Sequence, residues 1–146
     1  MANIQIGNKT IGNDLPCFTI AEAGANHDGN LEKAFKLIDA AIEAKSDSVK
    51  FQTYTANKLV TKTAPKYWDD GKKDETQFDV FNKLDHLTQD DWKQIFEYSK
   101  DKNFLCFSTP FDEESVDLLY KFEVPAFKIA SADITHLPLI KYISEK

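Results

Sequence analysis

Apolar positions along this chain follow two rhythms that take turns. Phe18-Thr19-Ile20-Ala21-Glu22 is strand-like. Leu31, Ala34, Phe35, Ile38, Ala41 and Ile42 then recur at the spacing of one helical stripe, which predicts an amphipathic helix from Leu31 to Ala44. Asn30 is the candidate N-cap, with Asp28 a competitor. Ser48 to Gln52 reads as the second strand. A polar connection from Thr53 to Leu87 follows, carrying Pro65, Gly71, a charged cluster and room for a short helix from Gln77 to Leu84. Thr88 caps a helix running from Gln89 to Lys102. Phe104 to Phe107 forms the third strand, Asp112 to Phe122 the next helix, and Pro125 to Ile129 the fourth strand. Pro138 opens a last helix that runs into the C-terminus. Ahead of all this, Ile4 to Ile11 reads as a small β-hairpin with Gly7-Asn8 at its turn.

Four strand–helix units in strict alternation call for a parallel sheet with right-handed crossovers. A doubly wound sheet and a (β/α)8 barrel both satisfy that pattern. Gly24 and Gly29 follow the first strand, but the G-x-G-x-x-G spacing of a dinucleotide site is absent, which lowers the doubly wound reading. A barrel needs about 250 residues. The expected architecture is therefore α/β, the N-terminal half of a (β/α)8 TIM barrel: four strand–helix units preceded by a short hairpin, with residues 1–146 as one partial barrel domain.

Composition narrows the class. Apolar residues make up 42% and charged residues 29%, as in ordinary soluble globular chains rather than disordered ones. No stretch approaches the ~20 apolar residues of a membrane-spanning helix. The N-terminus has neither the basic nor the apolar region of a signal peptide. Cys17 and Cys106 both sit in apolar runs and read as buried free thiols, so the expected compartment is the cytoplasm. A net charge of -6 argues against a nucleic-acid surface. It leaves room for an anionic substrate in a local cationic pocket.

Polar residues collect at the C-terminal ends of the strands: Glu22; Lys50 with Gln52; Ser108 with Thr109; Lys128 with Ser131. In α/β sheets, open or closed, ligands bind at that end. Lys50 and Lys128 are each flanked by apolar residues inside a strand. In a parallel sheet covered by helices, no solvated strand face exists to receive them. Alternation groups Lys50 with Ser48 and Gln52, and Lys128 with Ala126 and Ala130, leaving Val49, Phe51, Phe127 and Ile129 for the helix layer. Both lysines are then expected to point inward. Glu22 is the nearby acid for two ammonium groups, and a bound anion would satisfy the surplus charge. Thr109 and Ser131 add hydroxyls suited to phosphate or carboxylate oxygens. His27, His86 and His136 show no metal-ligand spacing, so no metal site is assigned within the chain. Tyr67, Trp68 and Trp92 read as packing aromatics.

The segments Ala21-Glu22-Ala23-Gly24-Ala25-Asn26-His27-Asp28-Gly29, Val49-Lys50-Phe51-Gln52-Thr53, Phe107-Ser108-Thr109-Pro110-Phe111-Asp112 and Val124 to Ser131 resemble, in order and spacing, the sialic acid synthases and their legionaminate and pseudaminate relatives. The resemblance implies a barrel followed by a small antifreeze-like domain, a domain-swapped homodimer, and a divalent metal, typically manganese, whose histidine ligands lie on later strands. It implies condensation of phosphoenolpyruvate with an amino-sugar aldehyde such as N-acetylmannosamine. By similarity, Lys50, Thr109, Lys128 and Ser131 would hold the donor's phosphate and carboxylate, with Phe111 packed nearby. Glu22 would sit beside the reacting centre and Asp133 would contact the sugar. Asn26 would shape the first loop. Asp133 stands where many of these synthases carry Glu, which shortens the reach towards the sugar. The chain alone is expected to be inert. Two rivals stand beside this reading: a Schiff-base aldolase using Lys50 or Lys128, and a non-catalytic half-barrel that binds or assembles.

Overall fold

The computed structural model describes residues 3–72 and 74–146. A hairpin of β1 (Ile4–Ile6) and β2 (Lys9–Ile11) opens the chain. It is followed by β3 (Ile20–Gly24), α1 (Leu31–Glu43) and β4 (Ser48–Thr53). The connection after β4 contains two short helices, α2 (Ala56–Leu59) and α3 (Gln77–Leu84), before α4 (Gln89–Asp101). Then come β5 (Leu105–Pro110), α5 (Glu113–Lys121), a 3-10 turn at Ser131–Asp133, and α6 (Leu137–Ser144).

Helix starts obey their local chemistry. The Asn30 side chain accepts from the Lys33 N–H at 2.8 Å and so caps α1, while Asp28 pairs with the Lys33 ammonium instead. Thr76 and Thr88 each form a reciprocal capping box, with Asp79 and Asp91 respectively. Asp112 caps α5 through the Ser115 N–H. The four-residue α2 escaped the sequence reading because it is too short to show a helical period. It is held from outside, by the Asp85 carboxylate accepting the Ala56 N–H at 2.9 Å.

β3, β4 and β5 form a parallel sheet in sequential order. Its two faces differ. Val49, Phe51, Cys106 and Ala23 face a core made with Ala34, Ile38 and Ala41 of α1, Trp92, Ile95 and Phe96 of α4, and Leu119 of α5. The helices therefore lie on one side. Sequential strands joined by right-handed crossovers give that outcome, because each crossover returns on the same face. The other face carries Glu22, Lys50 and Phe107, which the strand register places side by side, and Gln52 with Thr109 two residues further along.

Three expectations need correction. Residues 125–129 do not form a fourth strand. They make one parallel bridge, Phe127 to Ser108, with the Lys128 N–H donating to the Ser108 carbonyl at 3.2 Å. Pro125 brings no N–H to this ladder and the segment turns into the 3-10 helix soon after, so pairing stays short. Cys17 is exposed, unlike buried Cys106. β3 starts at Ile20 rather than Phe18, which leaves Cys17 on the run-in to the sheet. Tyr67 is 83% exposed at the tip of the long connection, while Trp92 takes the core position expected of it.

Candidate active site

Lys50 is in the middle of β4, opposite Glu22 of β3 and Phe107 of β5. Its side chain is only 9% exposed. Its ammonium lies 2.6 Å from Glu22 Oε2 and donates to Thr109 Oγ1 at 3.4 Å. Two of its three donors are thereby matched within the described residues, and the third can take an anion oxygen. Glu22 is 57% exposed, so the buried cation is reached from the inner face of the sheet past a carboxylate. Thr109 is buried and registers with Gln52.

The end of β3 is shaped to permit this. The register slips between Glu22 and Gly24, a bulge of the kind that re-aims side chains beside functional sites. Gly24 has φ +54°, a conformation that other residues rarely adopt. A Cβ there would stand 3.3 Å from Glu22 Oε1 and 3.8 Å from Gln52 Oε1. The glycine thus lets a carboxylate and an amide approach the same stretch of backbone.

Lys128 corrects the sequence reading. It is exposed, and its ammonium donates to the Ile129 carbonyl at 2.6 Å. Phe127 beside it packs on the helix-side core, so alternation does turn Lys128 to the inner face. That face is open here, at the outermost pairing of the sheet, so Lys128 has water to solvate it. With β5 between them, Lys50 and Lys128 are separated across the sheet by two strand spacings, about 10 Å, and are also offset along it. Only Lys50 is the buried cation that the sequence suggested for both.

The remaining candidates divide similarly. Glu22, Lys50, Gln52 and Thr109 form one cluster. Ser131 and Asn26 are exposed, in the 3-10 turn and the turn after β3. Asp133 is half-buried, and its Oδ2 has no hydrogen-bond partner among the described residues. Phe111 is half-buried against the Tyr54 ring, centroids 6.1 Å apart, and its N–H donates to the Thr53 carbonyl. Burial pushes the Cys106 thiol pKa up, which removes it as a nucleophile.

Sequence reasoning missed Tyr54 and undervalued His27. His27 is 3% exposed, wedged against Phe51 and Trp92 with ring centroids 6.1 and 5.8 Å away. Its Nδ1 accepts the Gly29 N–H at 3.0 Å. Burial lowers its pKa, and the Lys33 charge adds to that against the opposing pull of Asp28. Tyr54 is pushed up to about 12 by burial and by the negative charge of Asp85. His27 stands among polar neighbours in the sequence, so no periodicity marks it as buried. Among the described residues no three His, Cys, Asp or Glu side chains gather into a metal site. With Nδ1 engaged and the ring buried, His27 does not fit the divalent metal that the resemblance implies.

A one-sided parallel sheet with a lysine–carboxylate–hydroxyl cluster on its inner face defines the chain as an α/β protein with its polar chemistry gathered on one face. The family model described as NeuB family matches residues 37–146, and the chain belongs to that family. It is 45% identical to the spore coat polysaccharide biosynthesis protein SpsE of Bacillus subtilis over 99% of this chain and 38% of that protein. It is 37% identical to the N,N'-diacetyllegionaminic acid synthase of Legionella pneumophila, over 96% of this chain and 40% of that one. Among solved structures, the N-acetylneuraminic acid synthetase of Leptospira borgpetersenii, in complex with citrate, superposes with a TM-score of 0.81 at 33% identity, covering 99% of this chain and 46% of that one. The chain spans less than half the length of these relatives. Among the described residues, no helix is long and apolar enough to cross a membrane.

Proposed function

We propose that this chain forms the first half of the (β/α)8 barrel of a nonulosonate synthase, which condenses phosphoenolpyruvate with an N-acetylated amino-sugar aldehyde and releases phosphate. The observation that carries the reading is the buried Lys50 ammonium, held by Glu22 and Thr109 at the carboxyl ends of parallel strands. Helices confined to one face of a sequentially ordered sheet also suit a barrel wall. Relatives that match almost all of this chain are named N,N'-diacetyllegionaminic acid synthase, pseudaminic acid synthase and N-acetylneuraminate-9-phosphate synthase.

In this reading the enol carbon of the donor attacks the aldehyde carbon, whose oxygen takes a proton. Positive charge develops at the donor's second carbon. Water adds there and loses a proton, and phosphate leaves with the electron pair of the carbon–oxygen bond. Lys50 and Thr109 bind the donor's anionic oxygens and fix its orientation. Glu22, partly open to solvent, handles the proton of the attacking water or of a sugar hydroxyl. Lys128 and Ser131 close on the donor from the next strand position, Phe111 packs nearby, and Asp133 reaches the sugar. The later half of the barrel supplies the metal ligands, and the full-length protein is a homodimer.

The test is phosphate release by a full-length protein containing this chain, requiring both phosphoenolpyruvate and an amino-sugar aldehyde such as N-acetylmannosamine. Release without the aldehyde, or a carbon skeleton no longer than the acceptor's, would sink the proposal. The Schiff-base aldolase reading predicts a covalent adduct at Lys50 after borohydride treatment with a keto acid, and we expect none.

A further inference from the structure

Between the turn after β3, the end of β4 and the connection before α4 lies a cavity with about 10 Å³ of room for the centre of a water molecule. His27, Gln52, Tyr54, Asp85, Leu87 and Trp92 line it. Two buried polar atoms of residues that line it, His27 Nε2 and the Tyr54 hydroxyl, have no hydrogen-bond partner among the described residues. The state of His27 follows from its other nitrogen. Nδ1 accepts the Gly29 N–H at 3.0 Å, so a neutral ring must carry its proton on Nε2. Nε2 is then a buried donor in need of an acceptor. The hydroxyl of Tyr54 can give one hydrogen bond and accept others. Buried polar groups of this kind are almost always satisfied, by protein or by ordered water.

The space decides what can satisfy them. It admits roughly one water molecule and no organic ligand. The walls offer a water its usual complement of roughly two to four partners: the imidazole N–H, the phenol, the Gln52 amide and the Asp85 carboxylate, one oxygen of which is already bound to the Ala56 N–H. Gly29, whose N–H donates to His27 Nδ1, leaves no room for a side chain. A Cβ there would meet His86 Cβ at 2.8 Å, and the residue has φ +68°. Gln52 lines this cavity, and its Oε1 approaches Gly24 beside Glu22. It joins the cavity to the inner-face cluster.

We propose that this cavity is a solvent site holding one water molecule, which accepts from His27 Nε2–H and bonds the Tyr54 hydroxyl, and that His27 and Tyr54 thereby act as positioning residues for Gln52. Gln52 acts as a substrate-contacting member of the inner-face cluster, and that role rests on the function proposed above. The water itself does not.

A crystal structure of the full-length protein, with long-range proton–nitrogen NMR of His27, reads the site directly. The expected result is one ordered water within about 3.2 Å of both atoms and a neutral imidazole protonated at Nε2. A dry cavity, or a proton on Nδ1, overturns the proposal. Tyr54→Phe is expected to reorient the Gln52 amide and to lower kcat/KM about tenfold, mainly through KM. An unchanged Gln52 and KM would overturn the positioning role. His27→Gln, which keeps an amide donor, is expected to lose less than His27→Ala, and equal losses would overturn the part given to Nε2–H. Water and tautomer are observed without turnover, so a protein that holds the water yet makes no nonulosonate removes the functional reading alone.

Discussion

On the helix side of β4, Val49 and Phe51 are fully buried among aliphatic and aromatic side chains of α1 and α4. One residue away, on the other side of the same strand, Lys50 meets a carboxylate that solvent can reach. The pleat produces this difference, since consecutive side chains leave a strand in opposite directions. The lesson is that stability and chemistry occupy alternate positions of one short segment. Substitutions there should separate cleanly into those that unfold the protein and those that silence it.

The largest effect is expected on the dry side. Phe51→Ala leaves a void between Trp92 and His27 and should cost about 3–5 kcal/mol, read from denaturant unfolding. A loss under 1 kcal/mol would break the comparison. Next comes Lys50→Met, expected to lower synthase turnover of the full-length protein by a factor on the order of 10²–10³. Its stability should change by no more than about 1 kcal/mol, because the Glu22 left behind is solvated.

His27 brings a titratable group to the dry side, and its sign can be worked out. Its pKa is lowered by burial, so in the window just below its ordinary value of 6.5 the unfolded chain binds more protons than the folded one. Stability is fully present above that value and is lost as the pH falls towards the folded pKa. The slope can reach about 1.4 kcal/mol per pH unit. Unfolding midpoints measured from pH 7 to 5 should show the loss, and His27→Gln should flatten it. Asp39, Asp47, Asp79 and Asp117 are held low by hydrogen bonds and lysines, so their contribution disappears only in more acid solution, below the ordinary carboxylate range.

The smallest effect on stability belongs to Lys128→Met, within about 0.5 kcal/mol, since this lysine is exposed. Its effect on turnover should be smaller than that of Lys50→Met. Equal losses would show that the assembled protein buries both lysines alike, and would erase the distinction drawn between them.

Much of this could be read in advance. The stripe from Leu31 to Ile42, the threonine cap at Thr88, and the alternation around Lys50 are local signals, and each appears in the fold as its spacing required. The short α2, the truncated pairing at Phe127 and the exposure of Cys17 and Tyr67 depend on what lies opposite each residue, which no local pattern records.

The sequence by itself determined the alternation of strands and helices, the split of β4 into a dry and a chemical face, and the family to which those residues belong. Period carries the first two, and the likeness of four ordered segments carries the third. Only the tertiary structure decided that Lys50 is a buried cation and Lys128 a solvated one, and that His27 and Tyr54 share a cavity. Burial and pairing are set by neighbours distant along the chain, and a lysine or histidine looks the same in sequence whether it faces a carboxylate, an aromatic ring or water.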